Sequence, residues 1–291
     1  MHESMRALEY TTEQDVFYDY CLWEYRPIAP PAGKLRSVNL LAHSFEVAGI
    51  TPRAFELIPA LRAGIGQSRT VWGVKRRGET LSWEFYFYDY RRRERERSIT
   101  KVLEILRPFI PCGVRAAEDR PYFMFSLDVT DDLLSGRGAL GEVHMYVGNV
   151  GSTVSSGICY ALTAGRGPRL ENFYFFFDAR RQTKEIAGKV ASSAHLDASR
   201  LHIDQIVWPE LRDCRVIVVA NKQQNDGIYF SGISVDQLLF FLKRMDYPAA
   251  LVRFIEERRG LLDHLTYDVG LDYRMEGSEL VFLKSAYYGV F

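Results

Sequence analysis

Glu84 stands in the middle of the segment SWEFYFY, two residues from Ser82 and two from Tyr86, with Tyr88 two further on. Side chains of an extended chain alternate between faces. The carboxylate therefore shares a face with two tyrosines, while Trp83, Phe85 and Phe87 take the other. The division recurs downstream, where Glu142, His144 and Tyr146 oppose Val143, Met145 and Val147, and where Asn172, Tyr174 and Asp178 oppose Phe173, Phe175 and Phe177. A carboxylate and an imidazole among tyrosines can hold or move protons, and tyrosine ring faces attract cations. One face of each segment is thus apolar and the other is chemically equipped. Buried polar groups need partners, so the polar face suits the lining of a solvated cavity better than a packed core. Two plainer explanations stand beside this one: Tyr and Phe are good strand formers, and Glu84 can pair with a Lys or Arg across a hairpin.

The elements that must position these residues repeat. Three times the chain runs strand, polar turn, aromatic-rich strand and amphipathic helix, starting at Val71 with a helix through Leu106, at Ile158 with a helix through Ser193, and at Val216 with a helix through Met245. Two more hairpins, over residues 122–149 and 266–291, bring the count to ten strands in five antiparallel pairs. The fold expected is α+β: a ten-stranded antiparallel β-barrel with a solvent-filled lumen, its apolar outer face covered by helices. The last strand would meet the first and close the sheet. Helical patterns at residues 12–25, 37–48 and 52–63 precede the strands, and Pro248 separates the third repeat's helix from another at 249–265. The final turn falls at residues 276–278. No linker divides the chain, so one domain over 1–291 is expected, with helices in 1–70 and hairpin–helix units in 71–291.

With 37 basic and 37 acidic residues, bulk charge gives no reason to expect a nucleic-acid partner. The alternating signs of RRRERER at 91–97 suit a solvated face at the start of a helix, and AGRGP at 164–168 suits a hairpin turn rather than a phosphate loop. Cys21, Cys112, Cys159 and Cys214 are scattered without metal or disulfide spacing, and there is no apolar run of membrane-spanning length. A soluble, monomeric, cytoplasmic protein that touches no membrane is the expectation.

Three segments, taken in order, resemble the soluble aromatic prenyltransferases, the ABBA or PT-barrel superfamily, over about residues 50–291: SWEFYF, ENFYFF and the closing LKSAYY. The likeness to the last two lies with the bacterial phenol and naphthol enzymes, whereas His144, where a lysine is usual, is closer to the cyanobactin peptide prenyltransferases. In the third hairpin Arg166 and Arg169 are the nearest substitutes for another expected basic residue, and the closing strand leaves open whether Lys284 with Tyr288 or Leu283 with Tyr287 faces the lumen. The resemblance implies transfer of a C5 or C10 prenyl group from dimethylallyl or geranyl diphosphate to an aromatic metabolite or a peptide side chain. It implies His144, Lys284, Arg215, Lys222 and Lys75 as donors to the diphosphate, Tyr86, Tyr146, Tyr174, Tyr229 and Tyr288 as the shield of a carbocation, and Glu84 as general base or as ligand of a diphosphate-bound Mg2+. No organic cofactor is implied. The alternative is a non-catalytic α+β repeat protein that binds a ligand or partner, its hairpins forming separate open sheets.

Overall fold

The computed structural model describes residues 7–15, 26–50, 53–89, 95–149, 154–197 and 199–290. Ten strands follow one another around a closed antiparallel barrel: β1 (Val71–Arg77), β2 (Thr80–Tyr88), β3 (Tyr122–Val129), β4 (Glu142–Gly148), β5 (Ser156–Thr163), β6 (Arg169–Asp178), β7 (Val216–Lys222), β8 (Asp226–Ile233), β9 (Tyr267–Glu276) and β10 (Glu279–Val290). Closure is made by β1 against β10, in register from Val71 opposite Val290 to Arg76 opposite Ser285. Every strand is paired on both sides, so the ladder has no open edge. The alternative of separate open sheets is thereby excluded.

The described helices are α1 (Val38–Ala48), α2 (Arg53–Ile65), α3 (Ile99–Leu106), α4 (Asp131–Leu134), α5 (Thr183–Ala191), α6 (Val235–Arg244), α7 (Ala249–Glu257) and α8 (Arg259–Leu262). Their apolar stripes cover the outer face of the strands: α1 lies on β1, α5 on β6 and β7, and α6 on β9. Trp83, Phe85, Phe87 and Val143 are fully buried there. Trp83 packs edge-on against Phe45 at 4.9 Å and donates from its indole nitrogen to the Ser44 hydroxyl at 2.8 Å, which fixes α1 to the wall.

Several elements depart from the sequence reading for local reasons. The Ser98 hydroxyl accepts from the Lys101 amide and starts α3 at Ile99, after the charged stretch and not within it. Residues 91–94 of that stretch lie outside the described residues, but Arg95 is no solvated surface charge: its guanidinium bonds Asp89 at 2.6 Å and lies 3.7 Å from the centre of the Tyr122 ring. Residues 16–25 of the first expected helix also lie outside the described residues, and Asp15 closes a short turn back to Thr12. The helix expected through residue 265 ends at Glu257, and α8 follows after Arg258. On β6 the apolar face is only partly covered, with Phe173 exposed and Phe175 under the Lys189 ammonium at 3.9 Å. Phe176 sits on the inner face, so Tyr and Phe do not separate strictly on this strand.

Candidate functional site

Alternation sends one set of side chains from each strand into a common lumen. Across its middle runs a belt of tyrosines from five strands. Ring centroids of Tyr288 and Tyr86 are 5.9 Å apart, Tyr86 and Tyr146 6.2 Å, Tyr146 and Tyr174 5.7 Å, and Tyr174 and Tyr229 6.3 Å. Two glycines make room for the rings: a Cβ on Gly270 would lie 2.4 Å from Tyr229, and one on Gly73 would lie 2.6 Å from Tyr288. Such distances are well inside van der Waals contact, so these positions hold the rings flat against bare backbone. Burial pushes the hydroxyl pKa of all five tyrosines well up, and they remain neutral donors.

On one side of the belt is a cavity of about 740 Å³, including its mouth, walled by Val71, Phe123, Met124, Phe176 and Val218 beside the tyrosine rings. Asp268 and Ser231 are its charged and hydroxyl members, and the Ser231 hydroxyl donates to Asp268 at 2.6 Å.

On the other side is a layer of charge. Lys75 reaches Glu84 at 3.0 Å and Asp128 at 2.5 Å. Lys222 lies 2.6 Å and Lys284 3.1 Å from the two oxygens of Asp272. The layer joins the belt through the Lys222 ammonium, which donates to the Tyr229 hydroxyl at 3.3 Å, and through Ser126, which donates to Glu84 at 3.1 Å and sits 3.3 Å from the Tyr146 hydroxyl. Burial opposes charge on Lys75 and Lys222, but their carboxylate partners outweigh it and raise both above the usual lysine value. Lys284 goes the other way: burial and the neighbouring Lys222 ammonium lower it despite Asp272. Burial resists ionisation of Asp272 too, yet Lys222 and Lys284 hold its carboxyl down at about 2. His144 is raised, since Glu142, at 2.9 Å, together with Asp128 and Glu84, prevails over burial.

Lys75, Glu84, His144, Lys222, Lys284 and the five tyrosines are therefore brought together. Arg215 is not: it precedes β7 at the end remote from Lys222, on the opposite parity, and is exposed. Arg169 is exposed at the rim and pairs with Glu142 and Glu171, while Arg166 belongs to the turn after β5. The parity of the last strand is settled by an irregularity between Phe282 and Lys284, after which Lys284 faces Asp272 and Tyr288 faces Asp268. Tyr287 points outward, buried between Trp72 and Tyr247 at 5.8 and 5.5 Å. The pairing of Glu84 with a lysine across its own hairpin is present as well.

Asp128 and Asp272 were missed by the sequence reading. Their signal is the same alternation: Met124, Ser126 and Asp128 share a face of β3, and Asp268, Gly270 and Asp272 share a face of β9. Glu84, Asp128 and His144 offer donor atoms within 4.8 Å of one another, a spacing open to a metal ion. The Lys75 ammonium already bridges the two carboxylates, and a divalent cation would have to enter beside a buried positive charge. The trio thus fits an ammonium better than Mg2+.

No helix among the described residues is long and apolar enough to cross a membrane. No protein-family model matches the chain, and no curated protein matches it in sequence.

Proposed function

We propose that the protein is a prenyltransferase that moves a C5 or C10 group from an allylic diphosphate to a nucleophilic acceptor, an aromatic ring or another group of a small molecule or peptide. The observation that carries this is the stacking, within one lumen, of buried lysines, a tyrosine belt and an apolar cavity. Lys222 and Lys284 hold the diphosphate, exchanging part of their hold on Asp272 for its oxygens. The allylic C–O bond breaks and its electron pair leaves with the diphosphate. The cation lies against the faces of Tyr86, Tyr146, Tyr174, Tyr229 and Tyr288, each worth about 2 kcal/mol to a desolvated cation. The acceptor's electron pair forms the new bond to carbon, and its proton passes to Glu84. Arg215 takes no part. A cytoplasmic setting accompanies this function, in keeping with the free thiols of Cys112, Cys159 and Cys214.

One observation favours a second reading, a barrel that binds its ligand without turnover: each lumen lysine already has a carboxylate partner. Calorimetric titration with dimethylallyl and geranyl S-thiodiphosphate, with and without Mg2+, separates the two. Prenyl transfer requires saturable binding, weakened about tenfold or more by Lys284→Ala. In Glu84→Gln the titration still saturates while product formation falls. Absence of binding at millimolar ligand contradicts prenyl transfer.

A further inference from the structure

The three lysines of the lumen are held unequally. Lys75 sits between Glu84 and Asp128, and its side chain is 6% exposed. Lys222 takes one oxygen of Asp272 at 2.6 Å, donates to the Tyr229 hydroxyl at 3.3 Å and is 11% exposed. Lys284 is left the other oxygen of that same carboxylate, at 3.1 Å, has no further hydrogen-bond or ion-pair partner among the described residues and is 23% exposed. It is the least held and the most accessible of the three. At longer range Lys222 of β7 and Lys75 of β1 oppose its charge, Glu84 of β2 and Asp128 of β3 favour it, and His144 of β4 is turned to Glu142. Burial and the Lys222 ammonium outweigh Asp272, so Lys284 gives up its proton more readily than an ordinary lysine. A desolvated amine beside a second ammonium is an activated nucleophile.

We propose that Lys284 is a nucleophilic amine that holds an apolar aldehyde covalently as an imine, with Asp272 as its counter-ion. The path for the rest of such a molecule is built into β10. The next inner residues of that strand are Ala286, a bare methyl, and Tyr288, so a chain attached to Lys284 runs along β10 to the tyrosine belt and the apolar cavity beyond it. In the reaction the amine's electron pair forms a bond to the carbonyl carbon while the C=O π pair moves onto oxygen, where the Lys222 ammonium stabilises the developing charge. Both amine hydrogens then leave with that oxygen as water, and a C=N bond remains. Once protonated, the imine donates its single N–H to Asp272 and keeps the ion pair that Lys284 makes in the free protein. This site goes beyond prenyl transfer and does not depend on it. A diphosphate favours the ammonium form of Lys284 and an aldehyde the amine, so the side chain serves either ligand but not both at once.

The test is incubation of the intact protein with citronellal, a branched C10 aldehyde, and sodium cyanoborohydride, which reduces an imine to a stable secondary amine, followed by peptide mapping by mass spectrometry. Lys243 is the internal control, since it is exposed and also pairs with a carboxylate, Glu256, at 2.6 Å. Near neutral pH Lys284 is expected to be labelled about tenfold faster than Lys243 or more, and the advantage shrinks as pH rises toward the ordinary lysine value. The adduct is lost in Lys284→Arg. In Lys222→Gln the labelling of Lys284 slows about threefold or more, with melting curves showing that the variants are folded. Labelling of Lys243 as fast as Lys284, or no adduct at Lys284, overturns the inference in the wild-type protein alone, whether or not either variant folds.

Discussion

The two ends of the lumen are built on opposite terms. At the charged end Lys75, Glu84, Asp128, Lys222, Asp272 and Lys284 are tied by ion pairs of 2.5 to 3.1 Å, so each group depends on a partner brought in by another strand. At the apolar end Val71, Met124, Phe176 and Val218 need only fill space, and the size of that space depends on two glycines beneath the tyrosine rings. Cost therefore concentrates at the charged end, while shape is set at the belt.

Asp272→Asn breaks this contrast hardest. It strands two ammoniums, one of them nearly buried, and is expected to destabilise the fold by about 3 kcal/mol or more, read as a fall in the urea midpoint. The same carboxylate shapes the acid limb. Its folded pKa of about 2 lies below the ordinary 3.8, so its contribution is complete above about pH 4 and is lost as pH falls towards 2. The wild-type melting temperature should drop through that window by more than that of Asp272→Asn. Lys75→Met leaves two carboxylates facing each other, but Asp128 is half-exposed and water relieves it, so about 2 kcal/mol is expected from the same measurement. Gly270→Ala pushes the Tyr229 ring from its seat at a cost of about 1–3 kcal/mol, with geranyl S-thiodiphosphate weakened more than its dimethylallyl counterpart in parallel titrations. Smallest is Tyr288→Phe. It removes a hydroxyl that makes no hydrogen bond to another described residue, so stability should hold within about 0.5 kcal/mol in the same urea measurement.

Much of this was legible because strand alternation is a local signal. SWEFYFY gave the inner Glu84 and Tyr86 and the outer Trp83 and Phe85, and a turn at residues 276–278 is what joins β9 to β10. The inner face of the last strand was not legible, since an irregularity between Phe282 and Lys284 resets the pairing and no periodicity announces it. The partner of Lys75 could be read only in part. Glu84 lies on the adjacent hairpin strand, whereas Asp128 arrives from β3 through barrel curvature and register. Arg215 was misjudged because it adjoins a strand, although both its parity and its end of β7 point away from the lumen. The helices ran long in the sequence reading because an amphipathic pattern carries no stop of its own, and caps such as Ser98 and Ser234 set where they begin.

The most direct measurement is a crystal structure of the protein with geranyl S-thiodiphosphate bound. Diphosphate oxygens within hydrogen-bonding distance of the Lys222 and Lys284 ammoniums, with the prenyl chain crossing the tyrosine belt into the apolar cavity, are the expected arrangement. A diphosphate bound outside the lumen, or a lumen left to other ligands at saturating thiodiphosphate, would contradict prenyl transfer in this barrel.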